Sequence, residues 1–429
     1  MQESQVLTDA FLTGAYDNTF RYLYAAKADL QRERYTSLLT GFTGQFGDKP
    51  VRLFSAPGRT EVGGNHTDHQ HGRVLAAAVN LDIICAAAPN DDGVIRIHSE
   101  GYPMDTVELS DLAKKESEDN KAISLIRGIC ARMREKGYTV SGFDAYTTSN
   151  VLKGSGLSSS AAFEVAIGTM ISYLFNDGAV SPVEIAQISQ YAENVYFGKP
   201  SGLMDQMASS VGGFITIDFA DTDHPVIEPI AFDFASCGHS LCIVDTKGDH
   251  ADLTGEYAAI PADMKKICDV FGVSYLRQVD EAAFYSRLAE LRKTCGDRAV
   301  LRAIHFFGDN GRVVHQADAL NQGRFDRFKE LIIESGRSSF ACLQNVFACS
   351  DPEAQGLSLA LALSEDILAG KGAWRVHGGG FAGTIQAFVP TDLLDAYRTK
   401  IESVFGDGSC YVLSIRPTGG VEITPELGQ

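Results

Sequence analysis

The sequence predicts an α+β chain built as two domains, and three observations carry that expectation. It runs to 429 residues, more than one hydrophobic core usually serves. Short stretches that alternate apolar and polar residues, such as VRLFS at 51–55, VIRIHS at 94–99 and GFDAYTTS at 142–149, are interspersed with segments of helical period. The polar stretch ADTDHP at 220–225 interrupts the pattern and divides the chain into domains at 1–220 and 221–429.

Taken in order, residues 1–50 read as helical and rather polar, closing at Gly47-Asp-Lys-Pro50. Residues 51–55 form a strand, 74–88 one or two buried strands, and 94–99 another. Apolar positions at helical spacing mark 121–136 and 161–175, with the strand 142–149 between them. Residues 182–196 make a further helix, with Pro182 in its first turn, where its missing N–H costs nothing. GFITIDF at 213–219 and SLCIVD at 240–245 are strands. From about 260 to 334 the chain is helical, and strands return at 383–389 and 410–415.

Composition excludes several classes of partner. The formal charge of −18 opposes binding to a phosphate backbone, so no nucleic acid is expected. A nucleotide is still allowed, because a small anion needs only local N–H groups and local positive potential. The nine cysteines contain no CxxC pair, as in a reduced, cytoplasmic chain whose cysteines pack as small hydrophobes. The start MQESQVLTDAF is polar and acidic, unlike a secretory signal. The most apolar run, 75–88, is broken by Asn80 and Asp82 and is too short to span a bilayer, so no membrane is expected. A monomer or weak homo-oligomer is the expected state.

Four segments carry chemistry. APGRTEVGGNHTDHQHG at 56–72 crowds glycines, an arginine, histidines and acids into one stretch. KGSGLSSSAA at 153–162 follows a strand and opens a helix, whose first turn adds about half a positive charge. Its serines can contact phosphate oxygens or Mg²⁺, with plain helix capping as the alternative, and it is neither a Walker A loop nor a Rossmann fingerprint. In 191–207, Glu193 ends a helix and Asp205 follows a Pro/Gly loop among Leu and Met, a cap or a functional acid. VHGGGFAGT at 376–384 brings three glycines together, for a ligand or for a tight loop.

In this order the four segments resemble the GHMP small-molecule kinases, and among them the galactokinases. The similarity covers roughly 51 to the end and extends weakly through Glu256-Tyr257 and RAIHFFGDNGRV at 302–313. It implies an N-terminal domain like ribosomal protein S5 domain 2, a ferredoxin-like C-terminal domain, and a site in the cleft between them. It implies ATP as co-substrate, Mg²⁺, and phosphorylation of a sugar's anomeric hydroxyl. Asp205 matches the family's catalytic aspartate, as general base or as electrostatic anchor of the hydroxyl. Arg59 matches its conserved arginine, with a structural ion pair as the plainer reading. Ser160 and Glu193, which lies twelve positions before Asp205, match the metal ligands. Gly154, Ser155, Gly156, Leu157, Ser158 and Ser159 match the ATP-binding loop. Asn65, His66, Asp68, Gly202 and Tyr257 match substrate-binding positions. His69 and His71 have no counterpart and read as loop residues.

The chain departs from the family pattern in four places. Asn65 stands where galactokinases usually carry Glu, which leaves room for galactose and also opens the site to a sugar altered at C6. The preceding Thr60-Glu-Val-Gly-Gly64 differs too, which opens a role for Glu61. The stretch KAISLIRG at 121–128 lacks the aromatics that usually meet adenine, leaving aliphatic side chains such as Leu125. In the third glycine segment Ala382 replaces a glycine, a mild change unless its φ is positive. A galactose 1-kinase is the leading reading. A kinase of another sugar (amino sugar, pentose or uronic acid) and a non-catalytic sugar sensor are the alternatives. A dehydrogenase would need an acidic ribose ligand that the sequence does not offer.

Overall fold

The computed structural model describes residues 1–25, 28–151, 156–199, 201–248 and 253–428. Three helices come first: α1 (Ser4–Leu12), α2 (Asp17–Tyr24) and α3 (Ala28–Phe46). Then follow β1 (Arg52–Gly63), β2 (Arg73–Pro89), β3 (Val94–Ser99), β4 (Asp105–Glu108), α4 (Ala122–Glu135) and β5 (Phe143–Ser149). The middle of the chain holds α5 (Ser159–Phe175), α6 (Pro182–Tyr191), α7 (Met204–Val211), β6 (Phe214–Asp218), β7 (Val226–Ile230) and β8 (His239–Asp245). A helical run comprises α8 (Thr254–Phe271), α9 (Glu281–Ser286), α10 (Leu288–Cys295), α11 (Asp297–Asn321), α12 (Phe325–Ser338) and α13 (Gly356–Leu368). The chain closes with β9 (Ala373–His377), β10 (Thr384–Pro390), α14 (Leu394–Phe405), β11 (Cys410–Leu413) and β12 (Val421–Glu422).

Two sheets organise these elements. The larger runs β12-β1-β2-β5-β3-β4, with β6 on the other end of β2 and β7 beyond it; the smaller is the antiparallel set β11-β8-β10-β9. β2 is long because it serves two neighbours on one side: Arg73–Ala77 pair with β6 and Ile83–Pro89 with β5. It is buried almost throughout, so it reads as an apolar run and not as an alternating one. The polar stretch at 220–225 is the connection of the β6–β7 hairpin, so both of its flanks belong to the larger sheet, and β12 returns to that sheet from the far end of the chain.

The centre of the larger sheet, β1 and β2, is covered on both faces. Along β1, Phe54 and Ala56 point into a core shared with α4, α5 and α6 (Ile126, Val165, Ile188), whereas Leu53 points into a second core. That second core is built by residues 1–50: Phe11, Phe20, Tyr24, Tyr35 and Phe42 pack against Leu53, Ile84 and Ala86. At its centre the fully buried Asp82 accepts from Tyr24 (2.7 Å), Arg34 (2.5 Å), Arg416 (3.0 Å) and Ser55. α11 lies against β1 and β2, and α12 against β9, so these helices join the two sheets. Among the described residues no helix is long and apolar enough to cross a membrane.

Candidate active site

The site is built where the second half of β1 meets the start of α5. The strand expected at 51–55 runs further: β1 continues to Gly63, with register shifts between Pro57 and Arg59 and between Glu61 and Gly63. These irregularities let the strand bend and re-aim its side chains. They leave Arg59 and Glu61 both lining one cavity of about 240 Å³, together with His66, Asp68, His69, Lys199, Ser201, Gly202, Met204, Asp205, Gly378 and Gly379.

β1 is strapped to the serine-rich segment. Arg59 N donates to Leu157 O at 3.0 Å, and the Arg59 guanidinium donates to Gly156 O. Gly58 permits this approach, because a Cβ there would lie 2.8 Å from Leu157 O. Ser209 Oγ, from α7, donates to Pro57 O at 2.6 Å and ties the third element in. Asp205, in the first turn of α7, meets the other two: Arg59 Nε donates to one carboxylate oxygen at 2.7 Å and Ser158 Oγ to the other at 2.7 Å. Burial alone would raise the Asp205 carboxyl, but Arg59 and then Ser158 outweigh it and hold it below the usual carboxylate range. Asp205 is therefore ionised at neutral pH. Lys199 adds positive charge beside it while donating to Glu193 at 2.8 Å.

The expected phosphate loop is corrected in detail. Gly154 and Ser155 lie outside the described residues. Leu157 buries its side chain in the core and contributes only its carbonyl, to Arg59. Ser158 spends its hydroxyl on Asp205 and takes a left-handed φ of 56° just before α5. Ser159 and Ser160 face a separate cavity of about 840 Å³, whose walls include Ile83, Leu125, Val151 and Phe163. The sequence offered aliphatic side chains such as Leu125 for a planar base; the fold adds Tyr102 from the β3–β4 turn and Phe197 from the π-helical turn that follows α6.

Buried acids gather behind Ser160. Glu164, one turn further along α5, is fully buried, and one of its carboxylate oxygens has no hydrogen-bond partner among the described residues. Gln206 donates to its other oxygen (3.0 Å) and to Glu193 (2.8 Å). Burial first, and then the Glu193 charge, push Glu164 well above its ordinary pKa. Among the described residues no three metal-ligating side chains form a cage. A serine hydroxyl on the cavity wall, with an unsatisfied oxygen on Glu164 one turn behind it, fits Mg²⁺, which takes few protein ligands and completes its shell with phosphate oxygens and water.

The glycine segment after β9 closes the sugar-sized cavity. Gly378 O accepts from Asn65 (2.7 Å), Gly379 O from His66 Nε2 (3.0 Å) and Asn345 (3.1 Å), and Gly380 O from the Tyr257 hydroxyl (2.8 Å). Positive φ falls on Gly378, Gly380, Phe381 and Gly383, and Ala382 is not among the left-handed residues, so its replacement of glycine is mild. His66 is held below its ordinary pKa, chiefly by burial, so its protonated Nε2 serves Gly379 and Nδ1 remains an acceptor.

Two expected substrate residues are elsewhere. Asn65 does not line the cavity: it is fully buried, its Nδ2 donates to Glu61 and Gly378, and its Oδ1 accepts from Asn345 (2.9 Å) and Ser339 (3.2 Å). All four of its amide positions are taken. Tyr257 stands behind the glycines, where a Cβ on Gly379 would meet its ring at 2.7 Å. His66, Asp68 and Gly202 do line the cavity. His71 stacks on Tyr275 at 3.6 Å in an adjoining cavity of about 400 Å³ that shares Asp68 and Gly202. Sequence reasoning missed Lys199, Ser201, Arg375 and Asn345. Lys199 and Ser201 sat within the quoted carboxylate segment, whereas Arg375 and Asn345 carried no local signal.

Comparison with known proteins comes to the same region. The family described as GHMP kinases N terminal domain matches residues 124–213, and the galactokinase galactose-binding signature matches 40–89. A galactokinase of Streptomyces coelicolor is 32% identical over 364 residues, 84% of this chain and 90% of its own. One from Glaesserella parasuis is 32% identical over 368 residues, covering 84% and 91%. The crystal structure of Lactococcus lactis galactokinase complexed with galactose superposes with a TM-score of 0.75 at 24% identity, over 91% of this chain and all of that one. A mevalonate kinase of L. major shares the fold at a TM-score of 0.58 and 15% identity, over 86% and 97%.

Proposed function

We propose a function from one premise: the chain belongs to the galactokinase family of the GHMP kinases. It is a kinase that transfers phosphate to a sugar hydroxyl, and the reaction proposed is ATP-dependent phosphorylation of galactose at C1, giving galactose 1-phosphate and ADP. The observation behind this reading is the Asp205 carboxylate, held by Arg59 and Ser158 between a sugar-sized cavity and the helix start that faces the larger cavity.

Galactose sits in the smaller cavity with its C1 hydroxyl against Asp205. Each carboxylate oxygen has lone pairs beyond the one used by Arg59 or Ser158. Asp205 is a weak base because Arg59 favours its charged form. That suits a loose transition state, in which the hydroxyl keeps its proton until the new O–P bond is forming. Asp205 orients the hydroxyl and takes the proton late, as the bond from the γ-phosphorus to the bridging oxygen breaks and ADP leaves. Arg59 reaches from Asp205 to the Gly156 carbonyl, so its charge lies between acceptor and donor, where negative charge shifts during transfer. The start of α5, with Ser159, Ser160 and the Gly154–Gly156 segment, holds the phosphates. The base packs against Tyr102, Leu125 and Phe197. Ser160 and Glu193, backed by Glu164, would hold Mg²⁺, which neutralises phosphate oxygens when bound.

The test is release of ADP, coupled to an optical readout, with Mg-ATP and a panel of galactose, glucose, 2-amino-2-deoxygalactose, N-acetylgalactosamine, arabinose and galacturonic acid. Galactose is expected to exceed the others in kcat/KM by about two orders of magnitude. A different winner keeps the kinase and changes its substrate. No ADP release with any sugar, while galactose still binds, would leave a sensor without turnover.

A further inference from the structure

We infer that Glu61 is a substrate-reading residue of the sugar cavity, and that the site therefore takes a sugar offering a hydroxyl or ammonium donor at that wall and rejects uronic acids. This rests on the sugar-kinase reading above.

The geometry around Glu61 is one-sided. Its residue is 6% exposed, yet it lines the cavity. One carboxylate oxygen, Oε1, takes both protein donors: Arg375 Nη2 at 2.7 Å and Asn65 Nδ2 at 2.9 Å. The other, Oε2, receives no hydrogen bond from the described residues and is not among the sealed, unpartnered polar atoms, so it opens on the cavity. The two donors are themselves fixed. Arg375 is fully buried and donates to Val62 O at 2.8 Å, and Asn65 has no amide position to spare. Glu61 cannot turn away without leaving the Arg375 charge buried and alone, which is strongly disfavoured. A nearly buried carboxylate oxygen without a donor is a cost that a ligand O–H or N–H removes.

The neighbouring groups sharpen the selection. Asp68 shares the cavity, and Asp205 faces it already paired. Lys199 is the cation on the lining besides Arg59, and it is engaged by Glu193. A substrate carboxylate against Glu61 would meet like charge, with no free lysine or arginine among the described lining residues to compensate. A donor there meets an oriented acceptor. Asn65, expected at the sugar from its place in the sequence, becomes the residue that aims Glu61.

Glu61→Gln tests this without emptying the position. The amide oxygen can keep Arg375 and Asn65, and the NH₂ group then presents a donor where the substrate expects an acceptor. Kinetics and calorimetric binding would be measured for wild type and variant with galactose, its 2-, 3-, 4- and 6-deoxy derivatives, and galacturonic acid, with thermal melting alongside. Wild type should lose about a hundredfold or more in kcat/KM on one deoxy sugar and should not accept galacturonic acid. The variant should lose a similar factor on galactose, lose little further on that same deoxy sugar, and narrow the gap to galacturonic acid. A variant within threefold of wild type on galactose would overturn the inference, as would an equal loss on every sugar including all deoxy forms, the pattern of a merely structural ion pair. If wild type binds galactose without releasing ADP, the kinase reading fails and the binding series still decides Glu61. If wild type binds no sugar in the panel, both fall.

Discussion

Asp205 keeps its charge in a narrow site because two donors converge on it from different elements, Arg59 on β1 and Ser158 before α5. Asp205→Asn keeps the shape and removes the charge. Turnover should fall at least about a thousandfold, the scale of losing a transition-state interaction in a closed site. Galactose affinity should stay within about tenfold, or ~1.4 kcal/mol; calorimetry and single-turnover kinetics separate the two, and a normal kcat would remove Asp205 from the chemistry. The pH dependence has a definite sign. The folded carboxyl titrates below its ordinary value, so the acid limb of kcat/KM should lie below the usual carboxylate range; a limb near neutrality would assign proton transfer to another group. The Arg59–Asp205 partnership was open to sequence reasoning because each residue sits in a motif with its own chemistry. The position of Asn65 was not. Its amide is consumed by Ser339 and Asn345, 274 and 280 residues away, and nothing in the local sequence announces them.

At the scale of elements, the site depends on how closely β1 approaches the segment before α5. Strand identity was legible where one face is wet, as in β3, and β2 was legible as an apolar run. β9 was missed because its interior carries Arg375 and His377, both buried and both hydrogen-bonded, which breaks an alternating pattern read from polarity alone. The helix expected over 182–196 keeps that extent but changes type: after α6 the chain continues as a π-helical turn over Ala192–Phe197, which carries Glu193 and brings Phe197 to the larger cavity. The continuation of β1 through a Pro- and Gly-rich motif was hidden for the opposite reason: its register shifts absorb residues that ordinarily end a strand. Gly58→Ala probes the strap directly. Its Cβ would press on Leu157 O and the Val151 side chain, displacing the loop from Arg59 and Asp205. A shift approaching 1 Å at such a site costs up to about a hundredfold in rate. We expect kcat to fall ten- to a hundredfold, on the order of that loss, with a melting temperature changed by only a few degrees; an unaltered kcat would show that the strap tolerates the displacement.

For the whole molecule, the informative feature is that the central strands β1 and β2 are covered on both faces. Helices α4 to α6 cover one side, and residues 1–50, which lie mostly ahead of the similarity to known kinases, cover the other. The second layer is also wired in electrostatically. Asp82 on β2 joins Arg34 from α3 to Arg416 from the C-terminal segment, and although burial opposes its charge, these two cations hold its carboxyl below the ordinary value. A depressed folded pKa adds stability above the unfolded carboxyl's pKa, and that stability is lost as pH falls through the folded one. Asp82→Asn should therefore cost about 3–5 kcal/mol at neutral pH, because it strands two arginines, and should flatten the acid side of the stability curve. Deleting residues 1–46 is the stronger test of the same architecture. It would expose Leu53, Ile84, Ala86 and Val421 together and leave Asp82 with Arg416 as its remaining cation. An apolar sheet face of that extent is an association surface. The truncated chain should be insoluble or self-associated by light scattering, with no kinase activity recovered, although no residue of the proposed site has been removed. A soluble, active truncation would mean that the remaining core folds alone and that the first layer serves a purpose other than covering the sheet.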